Sequence, residues 1–489
     1  MFRSCCILGM LLEFKGEHPN DEGLCSSQQR RSIAALGLLL VIFTGLIFIA
    51  LSQSRINKQL KNSDLMYENG FYFGVLADIH LDLNQNETHC RDGNSMEGEW
   101  IVHSPNLFGA QLCDLSLNML NITVLELKKI EVETGPFEFI LVLGDQVGHW
   151  IEGLEPSLES INKIHSLISA QFPFTPVYFV LGNHDIMNLL SATPGEHEVE
   201  QWYSSVSQSL FTGFYTTKQQ FLSAAATFDK YGFYKIEHNP FLWVVALNTN
   251  PFQIGSNVTL EVVNAQFDWL NETLHHAEDQ KSVSVLLIGH SAPEIKFLDL
   301  SRWNSNKNMT WKPDCITKFN NIVGRFSSVI KLSFFAHQHT DSWFVGKNSK
   351  GDYINHFIMP PVSPVGRGHP SFTIGVTNEE WDLLDLQFYH SPMEQLSRAN
   401  QTPRYFFQYS FKEQNFQYDE KYAPINGTLL DGLTSRIIDF EDGMETYTAR
   451  LLNTYQYHYK PHVSPHQMFC VLTENTSVGL QACLRKYFL

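Results

Sequence analysis

Five short apolar runs, at residues 71–77, 139–143, 177–181, 283–288 and 330–335, constrain this 489-residue chain more than any other feature. Each is five to seven residues long and rich in β-branched or aromatic side chains, which is strand length rather than helix length. The residues just past each run are equally regular. The first leads into Asp78-Ile79-His80, the second into Gly144-Asp145 and the third into Gly182-Asn183-His184-Asp185. The fourth leads into Gly289-His290 and the fifth into Ala336-His337-Gln338-His339. A sixth run, 242–247, precedes Asn248-Thr249-Asn250, and helix-like stretches such as 112–129 and 158–170 lie between the runs. Strands alternating with helices imply an α/β domain with a buried sheet. In such sheets the loops at the carboxyl ends of strands meet in one crevice, so the pattern predicts that seven polar side chains converge.

Those seven are Asp78, His80, Asp145, Asn183, His290, His337 and His339, and together they suit a two-metal hydrolase. A carboxylate has two oxygens and can bridge two ions. Asp145, alone after its run, is the natural bridge, with Asp78, His80 and His339 on one ion and Asn183, His290 and His337 on the other. Asp-x-His and His-x-His spacings let alternate side chains of an extended segment approach a common ion. The glycines before Asp145, Asn183 and His290 let the chain turn sharply as it leaves each strand. Imidazole, carboxylate and amide oxygen without thiolate suit Zn, Mn or Fe. Taken singly, Asp78 reads equally well as a helix N-cap and Gly289-His290 as a turn. The joint pattern is what carries the inference.

The order DxH, GD, GNHD, GH and (G/A)HxH resembles that of calcineurin-like metallophosphoesterases. More narrowly, the chain is similar to the acid sphingomyelinase-like phosphodiesterases, over residues 71 to the C-terminus. The narrower likeness rests on Asp78-Ile79-His80-Leu81-Asp82, the interval from Asp145 to His149, Leu247-Asn248-Thr249-Asn250, Gln266-Phe267-Asp268-Trp269-Leu270, and Cys470 with Cys483. The resemblance implies a four-layer αββα fold with two mixed sheets and a catalytic zinc pair. It also implies a hydroxide between the ions as nucleophile and a histidine general acid. His149, four residues after Asp145, matches the acid's position, with His184 as its partner. Ala336 stands where the family has glycine, which removes no ligand. The saposin domain of the sphingomyelinase proper has no counterpart here.

Residues 33–51 form 19 consecutive positions without a charge, close to the roughly 20 residues a membrane-spanning helix needs. Eight Asn-x-Ser/Thr sequons, at Asn86, Asn121, Asn257, Asn271, Asn308, Asn400, Asn426 and Asn475, all lie after that segment. This asymmetry predicts a type II signal-anchor. Residues 1–32 then form a cytosolic tail, 33–51 the membrane span and 52–70 a stem. Residues 71–390 form the metallophosphoesterase domain and 391–489 a mainly helical C-terminal extension. The catalytic part is expected outside the cell or in the lumen of an acidic organelle, and it is secreted if the chain is cleaved near Ser52. Of the cysteines after the segment, Cys90 with Cys113 and Cys470 with Cys483 are the sequence-near couples expected as disulfides, leaving Cys315.

The formal charge of −17 argues against nucleic acid or another long polyanion as partner. A small phosphodiester, a nucleotide or a lipid head group, is the expected substrate. Two alternatives remain at this level: an endopolyphosphatase of a vacuole-like compartment, and a catalytically silent receptor ectodomain. Filling of all seven ligand positions speaks against the second.

Overall fold

The computed structural model describes residues 67, 70–85, 89–91, 100–102, 106–186, 196–212, 218–295, 309–348, 350–365, 368–398, 401–412, 423–439 and 464–488. Two six-stranded sheets carry the fold. The first runs from edge to edge as β14 (Phe406–Ser410), β13 (Leu383–His390), β12 (Ser371–Thr377), β1 (Phe71–Leu76), β4 (Ile140–Val142) and β5 (Val177–Phe179). The second runs as β10 (Ser342–Lys347), β11 (Tyr353–Ile358), β9 (Ile330–Ala336), β8 (Ser284–Ser291), β7 (Leu242–Ala246) and β6 (Tyr234–Asn239). A small ribbon pairs β2 (His89–Arg91) with β3 (Trp100–Val102). β1, β4 and β5 are mutually parallel, as are β7, β8, β9 and β11, while the β1–β12, β12–β13 and β13–β14 pairs of the first sheet and the β10–β11 and β6–β7 pairs of the second are antiparallel. Both sheets are therefore mixed.

Alternation along the strands sets the layers. In β8, Leu286 and Ile288 join the core shared with the first sheet. Val285 and Leu287 instead pack with helices α5 (Leu260–Asp279) and α6 (Pro313–Arg325). Phe73 of β1 meets Phe334 of β9 with ring centroids 5.7 Å apart, so the sheets face each other. On the far side of the first sheet, α1 (Leu117–Thr134) and α2 (Leu154–Gln171) bury Leu120, Val124, Leu127, Ile161, Ile164 and Ile168. Phe73, Phe139, Phe334 and Phe335 are fully buried, each contributing about 1.5–3 kcal/mol relative to exposure.

Two expectations need correction. The first helix starts at Leu117, not Leu112, because Ser116 caps it by accepting from Met119 N at 3.1 Å. Residues 113–115 are extended instead, with Leu115 bridging Leu81. Gly289 and His290 lie within β8 rather than after it, at a register shift between Ile288 and Ser291.

Beyond residue 390 the described residues form α7 (Met393–Arg398), β14, α8 (Gly427–Asp439), α9 (Pro465–Thr473) and α10 (Ser477–Phe488). β14 pairs with β13, so the first sheet continues across residue 390. α8 and α9 pack on β10 of the second sheet. The structure joins Cys90 to Cys113 and Cys470 to Cys483, and leaves Cys315 free and buried. The proposed span 33–51 and the tail 1–32 lie outside the described residues, as does nearly all of the stem. No described helix is long and apolar enough to cross a membrane. Of the described sequons, Asn121, Asn257 and Asn426 are exposed. Asn475 is 4% exposed, and its amide pairs with that of Asn320 at 2.8 and 3.0 Å.

Candidate metal centre

The carboxyl ends of β1, β4 and β5 from one sheet and β8 and β9 from the other open onto the same place. Past β1 the chain stays paired with the loop after β4: Asp78 N donates to Gly144 O at 3.2 Å and His80 N to Asp145 O at 2.8 Å. Asp78, His80, Asp145 and His290 are almost wholly buried. Among the described residues eight non-glycines have positive φ. Five of them are Asp78 (46°), His80 (46°), Asp145 (49°), His337 (76°) and His339 (55°). This left-handed geometry costs about 1–3 kcal/mol per residue and persists only where the surroundings impose it. It is concentrated here on the side chains that the sequence singles out.

The donor atoms fall into two groups. Asp78, His80 and His339 form one, and Asp145, His290 and His337 form the other, each with its donor atoms within 4.8 Å of one another. His80 Nε2 lies 3.2 Å from His339 Nε2, and His339 Nε2 lies 3.5 Å from Asp78 Oδ1. His290 Nε2 lies 3.2 Å from Asn183 Oδ1. Asp145 Oδ2 stands between the groups, 3.6 Å from His80 Nε2 and 3.2 Å from His290 Nε2. All seven predicted side chains are thus brought together.

The local chemistry calls for cations. His80 Nδ1 faces Val147 O at 3.2 Å, His290 Nδ1 faces Leu143 O at 2.8 Å and His339 Nδ1 faces Val365 O at 3.2 Å. A carbonyl only accepts, so each Nδ1 carries the hydrogen, and neutral rings then turn Nε2 lone pairs toward each other and toward two carboxylates. Donating the second nitrogen to a carbonyl is how metal-binding histidines are oriented. The same carboxylates favour positive charge at this place. Burial by itself lowers a histidine, yet Asp145 and Asp78 raise His290 to about 9, and Asp78 foremost raises His339. Asp145 is buried, which raises a carboxyl, but His290 and His184 hold it well below the usual carboxylate range. The residues present fit a pair of divalent ions.

Asp185, the last residue of the Gly-Asn-His-Asp stretch, was given no role by the sequence. Its Oδ1 accepts from Gln146 N at 2.7 Å and Val147 N at 3.0 Å, and its Oδ2 from Gly182 N at 2.8 Å. The carboxylate therefore clamps the loop after β4 to the loop after β5. Gly182 permits this closeness: a Cβ there would fall on Asp145 Oδ1 and N. Asp145 Oδ1 is in turn fixed by His184 N at 2.8 Å.

A second cluster adjoins the first. His149 stacks on His80 with ring centroids 4.1 Å apart and approaches His184 at 4.1 Å. Its Nδ1 bonds Asp114 Oδ1 and its backbone N donates to Asp114 Oδ2, both at 2.7 Å. Asp114 escaped the sequence reading because residues 112–129 look helical. The available signal was its place beside Cys113, whose disulfide anchors the segment. Burial lowers His184 to about 4, and its Nδ1 has no hydrogen bond among the described residues.

A double sheet flanked by helices, with this donor set at the strand ends, defines a class, and comparison with known proteins gives the same class. The calcineurin-like phosphoesterase family matches residues 71–341, more than half of the chain, and the chain belongs to that family. Among relatives, human acid sphingomyelinase-like phosphodiesterase 3b is 27% identical over 373 residues, covering 70% of this chain and 75% of that protein. Human cyclic GMP-AMP phosphodiesterase SMPDL3A is 27% identical over 307 residues, covering 60% of this chain and 62% of that protein. Sphingomyelinase phosphodiesterase D of Dictyostelium discoideum is 23% identical over 439 residues, 88% of this chain and 91% of that protein. The chain is by class a phosphoric diester hydrolase.

Proposed function

We propose that this chain hydrolyses small phosphodiesters, of nucleotide or lipid-head-group type, with two divalent ions, zinc foremost, held by Asp78, His80, Asp145, Asn183, His290, His337 and His339. One observation carries the reading: Asp145 Oδ2 lies between two groups of donors, at 3.6 and 3.2 Å from a nitrogen of each. Nitrogen and oxygen donors without thiolate suit zinc, manganese or iron. The two ions, when bound, would supply positive charge for the phosphoryl oxygens and a nucleophilic water at neutral pH. The relatives named for sphingomyelin-like and cyclic GMP-AMP phosphodiesters support a small diester as substrate.

The chain's own residues account for the leaving group. His149 is the general acid. Asp114 takes the Nδ1 hydrogen and fixes the ring through a second bond to the backbone of the same residue, leaving Nε2 to give its proton to the departing alcohol. His184 lies against His149, with ring centroids 4.1 Å apart, as its partner.

The proposal includes a type II arrangement, with 33–51 as anchor and the catalytic part outside the cytosol, or secreted after cleavage near Ser52. Exposure of Asn121, Asn257 and Asn426 supports it, as do two disulfides, which persist in oxidising compartments. Residues 391–489 are read as an extension of the catalytic domain, whose described residues are predominantly helical with one strand.

Two measurements test the function. Metal analysis of the purified protein is expected to find about two divalent ions per chain; none would remove the proposal. A panel of nucleotides, sphingomyelin, polyphosphate and an aryl phosphodiester, at acidic and neutral pH, is expected to show turnover of a small diester in preference to polyphosphate.

A further inference from the structure

His337 and His339 share one loop, and both hold left-handed backbone, at φ 76° and 55°. Something must hold the loop in that shape. Its start is fixed by His337 N, which donates to Asp78 Oδ1 and Oδ2 at 3.2 and 3.1 Å. Its far end is Asp341, which is 5% exposed and immediately precedes β10, the edge strand of the second sheet. The Asp341 carboxylate receives the hydroxyl of Tyr409, a residue of β14 that is 6% exposed. β14 is the edge strand of the other sheet. The bond therefore ties the two sheet edges together at the loop that carries two of the seven donors.

Tyr409 is itself held in place. It stands opposite Phe388 in the β13–β14 ladder and stacks on that ring with centroids 4.6 Å apart. Its neighbour Phe411 packs edge-on against Trp343 of β10 at 5.5 Å. A rigid aromatic on one sheet thus delivers a hydroxyl to a carboxylate on the other. We propose that Tyr409 is a positioning residue for metal binding: by holding Asp341 it keeps the His337–His339 loop in its strained, donor-presenting form. This rests on the reading of His337 and His339 as metal ligands. The region after residue 390 then contributes to the centre without placing an atom in it.

The test compares Tyr409→Phe with Tyr405→Phe, each in the full chain loaded with zinc. Both variants lose one buried hydroxyl bond, since Tyr405 OH lies 2.7 Å from Thr123 Oγ1 on α1, but only the first touches the loop. Zinc retention is measured by competition with a chromophoric chelator, and cobalt-substituted samples give visible spectra. Tyr409→Phe is expected to weaken zinc retention about 10-fold, the lower end of what loss of an outer partner costs. It is also expected to alter the cobalt spectrum and to regain activity at raised zinc, whereas Tyr405→Phe retains metal as the parent does. Asp341→Asn keeps an oxygen for the Tyr409 hydroxyl, so a smaller loss is expected; it serves as the variant of record should Tyr409→Phe fail to fold. Equal retention by Tyr409→Phe and parent overturns the proposal, as does equal loss in the Tyr405 control. A parent that binds no zinc removes the functional reading as well, so the two failures are distinct.

Discussion

The two sheets supply the centre in different ways. The first contributes Asp78, His80, Asp145 and Asn183, and their supports are neighbours in the same loops. Asp185 closes the loop after β4 onto the loop after β5 through three backbone amides. Gly182 allows the close approach, and the chain after β1 remains laddered to Asp145 O and Gln146 O. The second sheet contributes His290, His337 and His339, and these are held from a distance. His290 leans on Leu143 O in the first sheet, and His339 on Val365 O between β11 and β12. Asp341 is held by Tyr409 beyond residue 390. One half braces itself locally, whereas the other borrows its rigidity from the rest of the fold. Substitutions near the first half are therefore expected to act sharply on chemistry and metal together, and substitutions around the second to act more weakly and through metal retention.

The largest effect should come from removing the residue both halves share. Asp145→Asn is expected to lower kcat by at least about 10³-fold, since it removes a carboxylate standing between both donor groups; residual activity near the parent's would mean that the two halves do not depend on a common bridge. Next comes Asp185→Asn in the first half. Its amide cannot accept from all three backbone donors, so about 10–100-fold weaker metal retention is expected. A stability loss of about 1–3 kcal/mol should accompany it, read by chelator competition and urea unfolding.

Asp114→Ala sharpens the comparison differently, because it acts on proton transfer and touches no proposed ligand. Turnover of a diester with a poor alkoxide leaving group should fall about 10²-fold or more, with a much smaller loss on an aryl diester. Equal losses on both would show that Asp114 only supports the fold, and His149→Ala should give the same split.

The smallest effect is expected in the second half, at His356 on β11. Burial lowers His356 to about 3 from 6.5, and its Nε2 has no hydrogen bond among the described residues. The folded state thus binds this proton more weakly than the unfolded state. Its contribution is present above pH 6.5 and is lost as pH falls from 6.5 toward 3, by at most about 1.4 kcal/mol per pH unit. Thermal unfolding of His356→Gln should depend less on pH than the parent over that interval. An unchanged slope would mean that other groups dominate acid sensitivity.

Sequon occupancy offers an independent test of the proposed topology. Peptide mapping of protein from a secretory host is expected to find glycan at Asn121, Asn257 or Asn426 and none at Asn475. The Asn475 amide is spent on Asn320 in the interior.

Much of the centre was legible in the sequence because its information is local. A buried strand is a short apolar run, and a ligand just past its end stands at a fixed offset from that run, so Asp78, Asp145 and His337 could be placed before any tertiary contact was known. The sequence-near cysteine couples were legible for the same reason. Partners chosen across the fold carry no such offset. Asp114 meets His149 from 35 residues away, and Tyr409 reaches Asp341 across 68. Asp114 was also hidden inside a helix-like pattern that Ser116 interrupts. The left-handed backbone at five donors, the clamp at Asp185 and the burial of Asn475 were likewise decided by packing. The sequence by itself picked out the side chains proposed to bind metal and the strands that carry them to the centre. The tertiary structure decided how those side chains are oriented and braced, because hydrogen-bond direction and backbone strain depend on what two distant segments bring to the same point.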